Sequence, residues 1–98
     1  MDIILHSVHF SADQKLIDFV NEKVSKLELF YDGIVSAEVF LRLDKNKEGE
    51  NKVSELKISI PGKELFAKKQ AKSFEEAIDL VVEALRRQVK KQKGMKNN

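Results

Sequence analysis

The sequence predicts an α+β domain: a two-layer sandwich in which a four-stranded, mainly antiparallel sheet carries two helices on one face. The order is strand, helix, three strands, helix (βαβββα). Three observations predict it. Two stretches repeat apolar residues every three or four positions, as one-sided helices do. Two others alternate apolar and polar residues, as half-buried strands do. A Pro61-Gly62 pair and a charged run containing Gly49 mark the turns between strands. Two amphipathic helices and a half-apolar sheet have one economical solution, in which both helices cover the same sheet face.

Residues 2–8, rich in Ile, Leu and Val, form the first strand. Ser11 with Gln14 three residues on matches a capping box, which satisfies free backbone N–H groups at a helix start. Leu16, Val20, Val24 and Leu27 then recur on one face, widened by Ile17 and Phe19. This helix is expected to stop near Phe30-Tyr31-Asp32-Gly33, where glycine can take the left-handed conformation. In residues 34–44, Val35, Ala37, Val39, Leu41 and Leu43 fall on one face and Ser36, Glu38, Arg42 and Asp44 on the other. Residues 45–51 have nothing to bury and read as an exposed hairpin loop. In the third strand, residues 53–60, Leu56, Ile58 and Ile60 alternate with Glu55, Lys57 and Ser59, and residues 64–69 return as the fourth. Ser73 with Glu76 makes a second capping box. Behind it, Phe74, Ala77, Ile78, Val81, Val82, Leu85 and Val89 form the stripe of a long helix running to about residue 91. Residues 1–93 thus read as one domain and 94–98 as a flexible tail.

Composition narrows the function. With 98 residues there is room for one modest core. No cysteine is present, so disulfides and thiolate chemistry are excluded. The first residues lack the pattern of a signal peptide, and no apolar run is long enough to span a bilayer, so a cytoplasmic protein is expected. Net charge is only +2, but it is unevenly placed. Residues 1–64 carry nine Lys/Arg and twelve Asp/Glu, a sum of −3, and residues 65–98 carry nine against four, a sum of +5. A basic pole on a nearly neutral chain points to a phosphate-rich or acidic partner.

That pole is the second helix. Counted at roughly 100° per residue from Ile78, Arg86, Lys90, Arg87 and Lys91 lie roughly 80° to 220° from the apolar stripe and so face solvent. Cations at a helix C-terminus also complement the dipole, but six of them after Ala84 without one acid exceed what the dipole needs. On the first helix Lys23 lies inside the apolar stripe and Lys26 at its edge. Snorkelling accounts for Lys23; together the pair would also extend a phosphate-contacting surface. Lys68, Lys69 and Lys72 guard an edge strand as readily as they touch RNA. The aromatics do not follow the strand signature of an RNA-recognition motif. His6 and His9 are three apart and should point to opposite faces, and no glycine-rich phosphate loop or nucleophile elbow occurs. Glu22, Glu28, Glu75, Glu76, Asp79 and Glu83 read as helix-face solubilisers or pairing partners for lysines. No enzyme, metal, cofactor or small-molecule substrate is expected.

Two stretches carry a family resemblance. One is Lys23-Val24-Ser25-Lys26-Leu27-Glu28 with Tyr31-Asp32 and Ile34; the other is Ala77-Ile78-Asp79-Leu80 with Leu85-Arg86-Arg87-Gln88-Val89-Lys90-Lys91-Gln92-Lys93. Both resemble the ribosome hibernation-promoting factors, also called ribosome-associated inhibitors or sigma-54 modulation proteins, over essentially the whole chain. The resemblance implies the βαβββα fold and binding to the small ribosomal subunit and its ribosomal RNA, between head and body. There the protein would exclude messenger and transfer RNA under starvation or in stationary phase. It also implies that Lys23, Lys26, Arg86, Arg87, Lys90, Lys91 and Lys93 contact ribosomal RNA phosphates. Each such contact displaces condensed counterions, so several act cumulatively. Glu75 departs from the aromatic that many relatives carry there. Ending at Asn98, the chain matches the short type, expected to be monomeric off the ribosome. Two rivals remain: a generic double-stranded-RNA-binding domain, and a module whose basic helix meets an acidic protein.

Overall fold

The computed structural model describes residues 1–46 and 48–96. Its elements are β1 (Asp2–Ser7), α1 (Gln14–Ser25), a 3₁₀ turn (Lys26–Leu29), β2 (Ser36–Leu43), β3 (Lys52–Ile60), β4 (Lys63–Ala71) and α2 (Phe74–Lys96). The sheet order is β1-β2-β3-β4, with β1 parallel to β2 and the other neighbours antiparallel. A parallel pair cannot be closed by a hairpin, so α1 serves as the crossover between β1 and β2. Helix α2 lies over β3 and β4, and α1 packs beside it against β1.

One face of the sheet supplies the core. Ala37, Val39 and Leu41 of β2 and Leu56 and Ile58 of β3 are fully buried against Val20, Val24 and Leu27 from the first helical segment. Ile78, Val81, Leu85 and Val89 of α2 complete the layer. Truncating one such leucine typically costs about 2–5 kcal/mol. Val35 and Leu43, expected on the same apolar face, are exposed because Val35 precedes β2 and Leu43 ends it. At the β3–β4 turn, Ile60 pairs with Lys63 and Gly62 sits at φ 76°, the left-handed conformation for which glycine is suited.

Several boundaries differ from the sequence expectation. Asp13, not Ser11, caps α1: its carboxylate accepts from the Leu16 N–H at 2.9 Å, and Gln14 bonds Asp18 instead of completing a capping box. Asp13 stands directly before the first helical turn, which Leu16 anchors in the core. At the other end, α1 tightens into the 3₁₀ turn and finishes at Phe30. Gly33 is not left-handed. A Cβ there would collide with the Tyr31 ring, so a steric limit replaces the expected conformational one. Ser73 behaves as expected, its hydroxyl accepting from the Glu76 N–H at 3.1 Å. Helix α2 continues past residue 91, through Gly94, to Lys96; residues 97 and 98 of the expected tail lie outside the described residues. A glycine weakens a helix without ending it, and cations in the last turns favour continuation.

The cap assignment is testable by thermal denaturation. Asp13→Ala should cost about 1 kcal/mol of stability, whereas Ser11→Ala should stay within about 0.5 kcal/mol of the parent.

Candidate nucleic-acid interface

The two helices run in the same direction. Lys23 of α1 lies 3.7 Å from Asp79 of α2, and seven residues further along each segment Phe30 meets Arg86. Both helices therefore end at the same end of the sandwich, where their carbonyl termini favour positive charge.

The expected interface residues gather there, but not all are equally free. Arg87, Lys90, Lys91 and Lys93 are exposed. Lys91 and Lys93 form no ion pair among the described residues, while Arg87 lies 3.6 Å from Glu83. Lys90 and Arg86 both stand 5.6 Å from the centroid of the Phe30 ring, within cation–π range. Arg86 departs from the expectation that it faces open solvent. Its guanidinium forks onto Glu83, Nε bonding at 2.8 Å and a second nitrogen reaching the other carboxylate oxygen, and its side chain is 32% exposed. Lys23 is half-buried as expected for a snorkelling lysine, its ammonium 5.4 Å from the Phe19 ring centroid and paired with Asp79. Lys26, in the 3₁₀ turn, is exposed and 3.7 Å from Glu22. The cations also diverge around α2: Arg86, Lys90 and Lys93 share the side facing Phe30, while Lys91 looks across to Lys63 at the β4 edge.

On the opposite surface, the open face of the sheet, the charges of β2 and β3 are paired. Arg42 pairs with Glu55, and Lys57 lies 3.2 Å from Glu38 and 3.8 Å from Glu64. The Glu38 carboxyl is held below its ordinary range, first by a hydrogen bond with His6 and then by Lys57, whose ammonium is correspondingly held above its own. His6 stacks on Phe40 with centroids 4.6 Å apart. His9, beyond the strand, has φ 64°, and among the described residues no cluster of His, Asp or Glu has the form of a metal site. Among the described residues, Lys90, Lys91 and Lys93 of α2 form no ion pair, and neither do Lys63, Lys68 and Lys69 of β4.

Glu83, read from the sequence as a solubiliser or a partner for lysines, pairs with two arginines: it stands three and four residues before Arg86 and Arg87, spacings at which helix side chains meet. Sequence reasoning missed Phe30, which reaches Arg86 and Lys90 only through the packing of one helical segment on the other.

Residues 3–97 match the family model described as sigma 54 modulation protein / S30EA ribosomal protein. A ribosome hibernation promoting factor of Pseudomonas putida is 32% identical over 93 residues, covering 95% of this chain and 87% of that one. Among solved structures, the N-terminal domain of Thermus thermophilus Protein Y aligns with TM-score 0.81 and 27% identity over 93% of this chain and 98% of that domain. A ribosomal subunit interface protein from Coxiella burnetii shares the fold, with TM-score 0.86 and 18% identity over 96% and 99% of the two chains.

The Glu83 fork has a pH signature. Its carboxyl is held below the ordinary 4.5, chiefly by the hydrogen bond from Arg86. A carboxyl depressed in the folded state stabilises the fold above its unfolded value and loses that contribution as pH falls through the folded one. Carboxyl-carbon NMR should therefore place the Glu83 midpoint below 4.5 in the parent, and Arg86→Met should move it upward.

Proposed function

Because the chain belongs to the sigma 54 modulation protein / S30EA ribosomal protein family, we propose that it is a ribosome hibernation factor. It binds the small ribosomal subunit through ribosomal RNA and halts translation by occupying space, without catalysing a reaction. The observation that carries this reading is the run of exposed cations at the shared end of the two helices: Arg87, Lys90, Lys91 and Lys93, with Lys26 beside them. RNA phosphates meet such a surface without base-specific contacts, and a site defined by ribosome shape needs none for positioning.

In this reading the protein lies in the channel between head and body, where messenger RNA and the aminoacyl and peptidyl transfer RNAs otherwise pass. Exposed cations make the first contacts, each releasing counterions from the RNA. Lys26 and Arg87 hold only exposed ion pairs, worth about 0–1 kcal/mol, and exchange readily for phosphate. Arg86 is more firmly engaged, hydrogen-bonded to Glu83. It positions the surface at least as much as it binds. The protein acts as a monomer in the cytoplasm and needs no cofactor.

Charge reversal tests the surface. Arg87→Glu, Lys90→Glu and Lys91→Glu combined should lower affinity for purified small subunits at least about 100-fold, measured by co-sedimentation. The log–log salt slope should become shallower by about 0.7–0.9 for each phosphate that the variant no longer neutralises. The melting transition should remain cooperative, because these three side chains are exposed. Arg86 is left in place, since its guanidinium forks onto Glu83 and its side chain is less exposed than those of the other three. Undiminished binding by the triple variant would show that another surface holds the ribosome.

A further inference from the structure

Phosphate contact does not account for the most apolar feature of this end. Leu29 is 77% exposed, more than any other large hydrophobic side chain among the described residues. It stands in the 3₁₀ turn beside Phe30, and the two form the floor of a cleft of about 330 Å³ whose other wall is Lys90, Lys93 and Gly94 of α2. Small-ligand clefts run roughly 300–1,000 Å³, so there is room for one planar group. Gly94 is part of why the cleft is open. A glycine inside a helix is disfavoured relative to almost any other residue, and a Cβ placed there would touch nothing within 4 Å. The protein thus carries a poor helix former where a side chain would be sterically free but would project beside the cleft.

We infer that this cleft receives one unstacked RNA nucleotide, its base lying on Leu29 and the edge of Phe30 and its phosphate between Lys90 and Lys93. The inference rests on the RNA-binding reading above and adds to it a base contact. A nucleotide suits the site because it joins an apolar planar face to an anion a few ångströms away, and the cleft joins an apolar floor to two cations. No carboxylate lines it. The exposed face of Phe30 is already occupied by Arg86 and Lys90, so the base rests on Leu29 and is flanked by the ring instead of stacking squarely on it. Bases held against apolar and aromatic side chains in this way are recognised with little sequence preference.

Two charge-neutral variants separate this from phosphate contact. Leu29→Ser removes the floor. Gly94→Gln fills the mouth and improves helix propensity, so it is not expected to unfold the chain. Each should weaken binding to purified small subunits about five- to tenfold while leaving the salt slope unchanged. As a second measurement, the parent protein should bind an oligoadenylate more tightly than an abasic oligonucleotide of equal length, and both variants should lose that preference. Parent-like subunit affinity in both variants would overturn the inference. So would lost subunit affinity without any preference of the parent for the base-containing strand, which would assign the cleft to a ribosomal-protein side chain. If the parent fails to bind small subunits at all, the ribosome reading fails, and the oligonucleotide comparison still decides the cleft.

Discussion

Two one-sided helices share a single apolar sheet face, and the position of every functional group follows from that sharing. The β1–α1–β2 crossover obliges α1 to run back against the strand direction, and the β2–β3–β4 meander delivers α2 to the same face with the same orientation. Val20, Val24 and Leu27 then pack in one layer with Ile78, Val81, Leu85 and Val89. Neither helix could slide or reverse without exposing its stripe. The consequence at the surface is that both helices point their carbonyl ends the same way, α2 running on past Phe30 to Lys96, and the cations are concentrated on one pole of an otherwise nearly neutral molecule.

Within that pole the protein regulates how free its cations are. Glu83 clamps Arg86 and approaches Arg87, Asp79 holds Lys23, and Phe30 presents its ring to Arg86 and Lys90. Such contacts restrict long side chains before a partner arrives, which lowers the ordering cost of binding. They also compete with that partner, because an internal carboxylate is a substitute for phosphate. In the proposed reading, the balance favours a surface that grips only where many phosphates are presented together. On the open sheet face the charges of β2 and β3 balance internally, through Arg42–Glu55 and Glu38–Lys57.

Most of the architecture could be read from local pattern. Alternation in β2 and β3 and the stripe of α2 are periodic over many residues, so their burial followed directly. What escaped was decided by single residues or by distant contacts. Ser11 and Asp13 are both competent caps, and only the helical phase fixed by burying Leu16 selects between them. Gly33 looks like a helix terminator, yet its constraint is the Tyr31 ring folded over it. The basic residues were legible as a run, and their grouping into a Phe30 side and a β4 side was not, because it depends on how the 3₁₀ turn meets α2. Arg86, expected to be free, is the most engaged of them, since its carboxylate partner lies just before the acid-free run.

If the shared helix end is the surface facing ribosomal RNA, a probe placed there must lie close to that RNA. The absence of native cysteine permits a direct measurement: hydroxyl-radical cleavage of small-subunit RNA from an iron chelate tethered at one introduced thiol. With the tether at Gln92→Cys on α2, strong cleavage is expected at a few discrete positions in the small-subunit RNA. With the tether at Asn51→Cys, in the loop between β2 and β3, cleavage should be weaker and elsewhere. Cleavage from position 51 with none from position 92 would contradict this orientation, and would mean that the basic helix end faces away from the RNA.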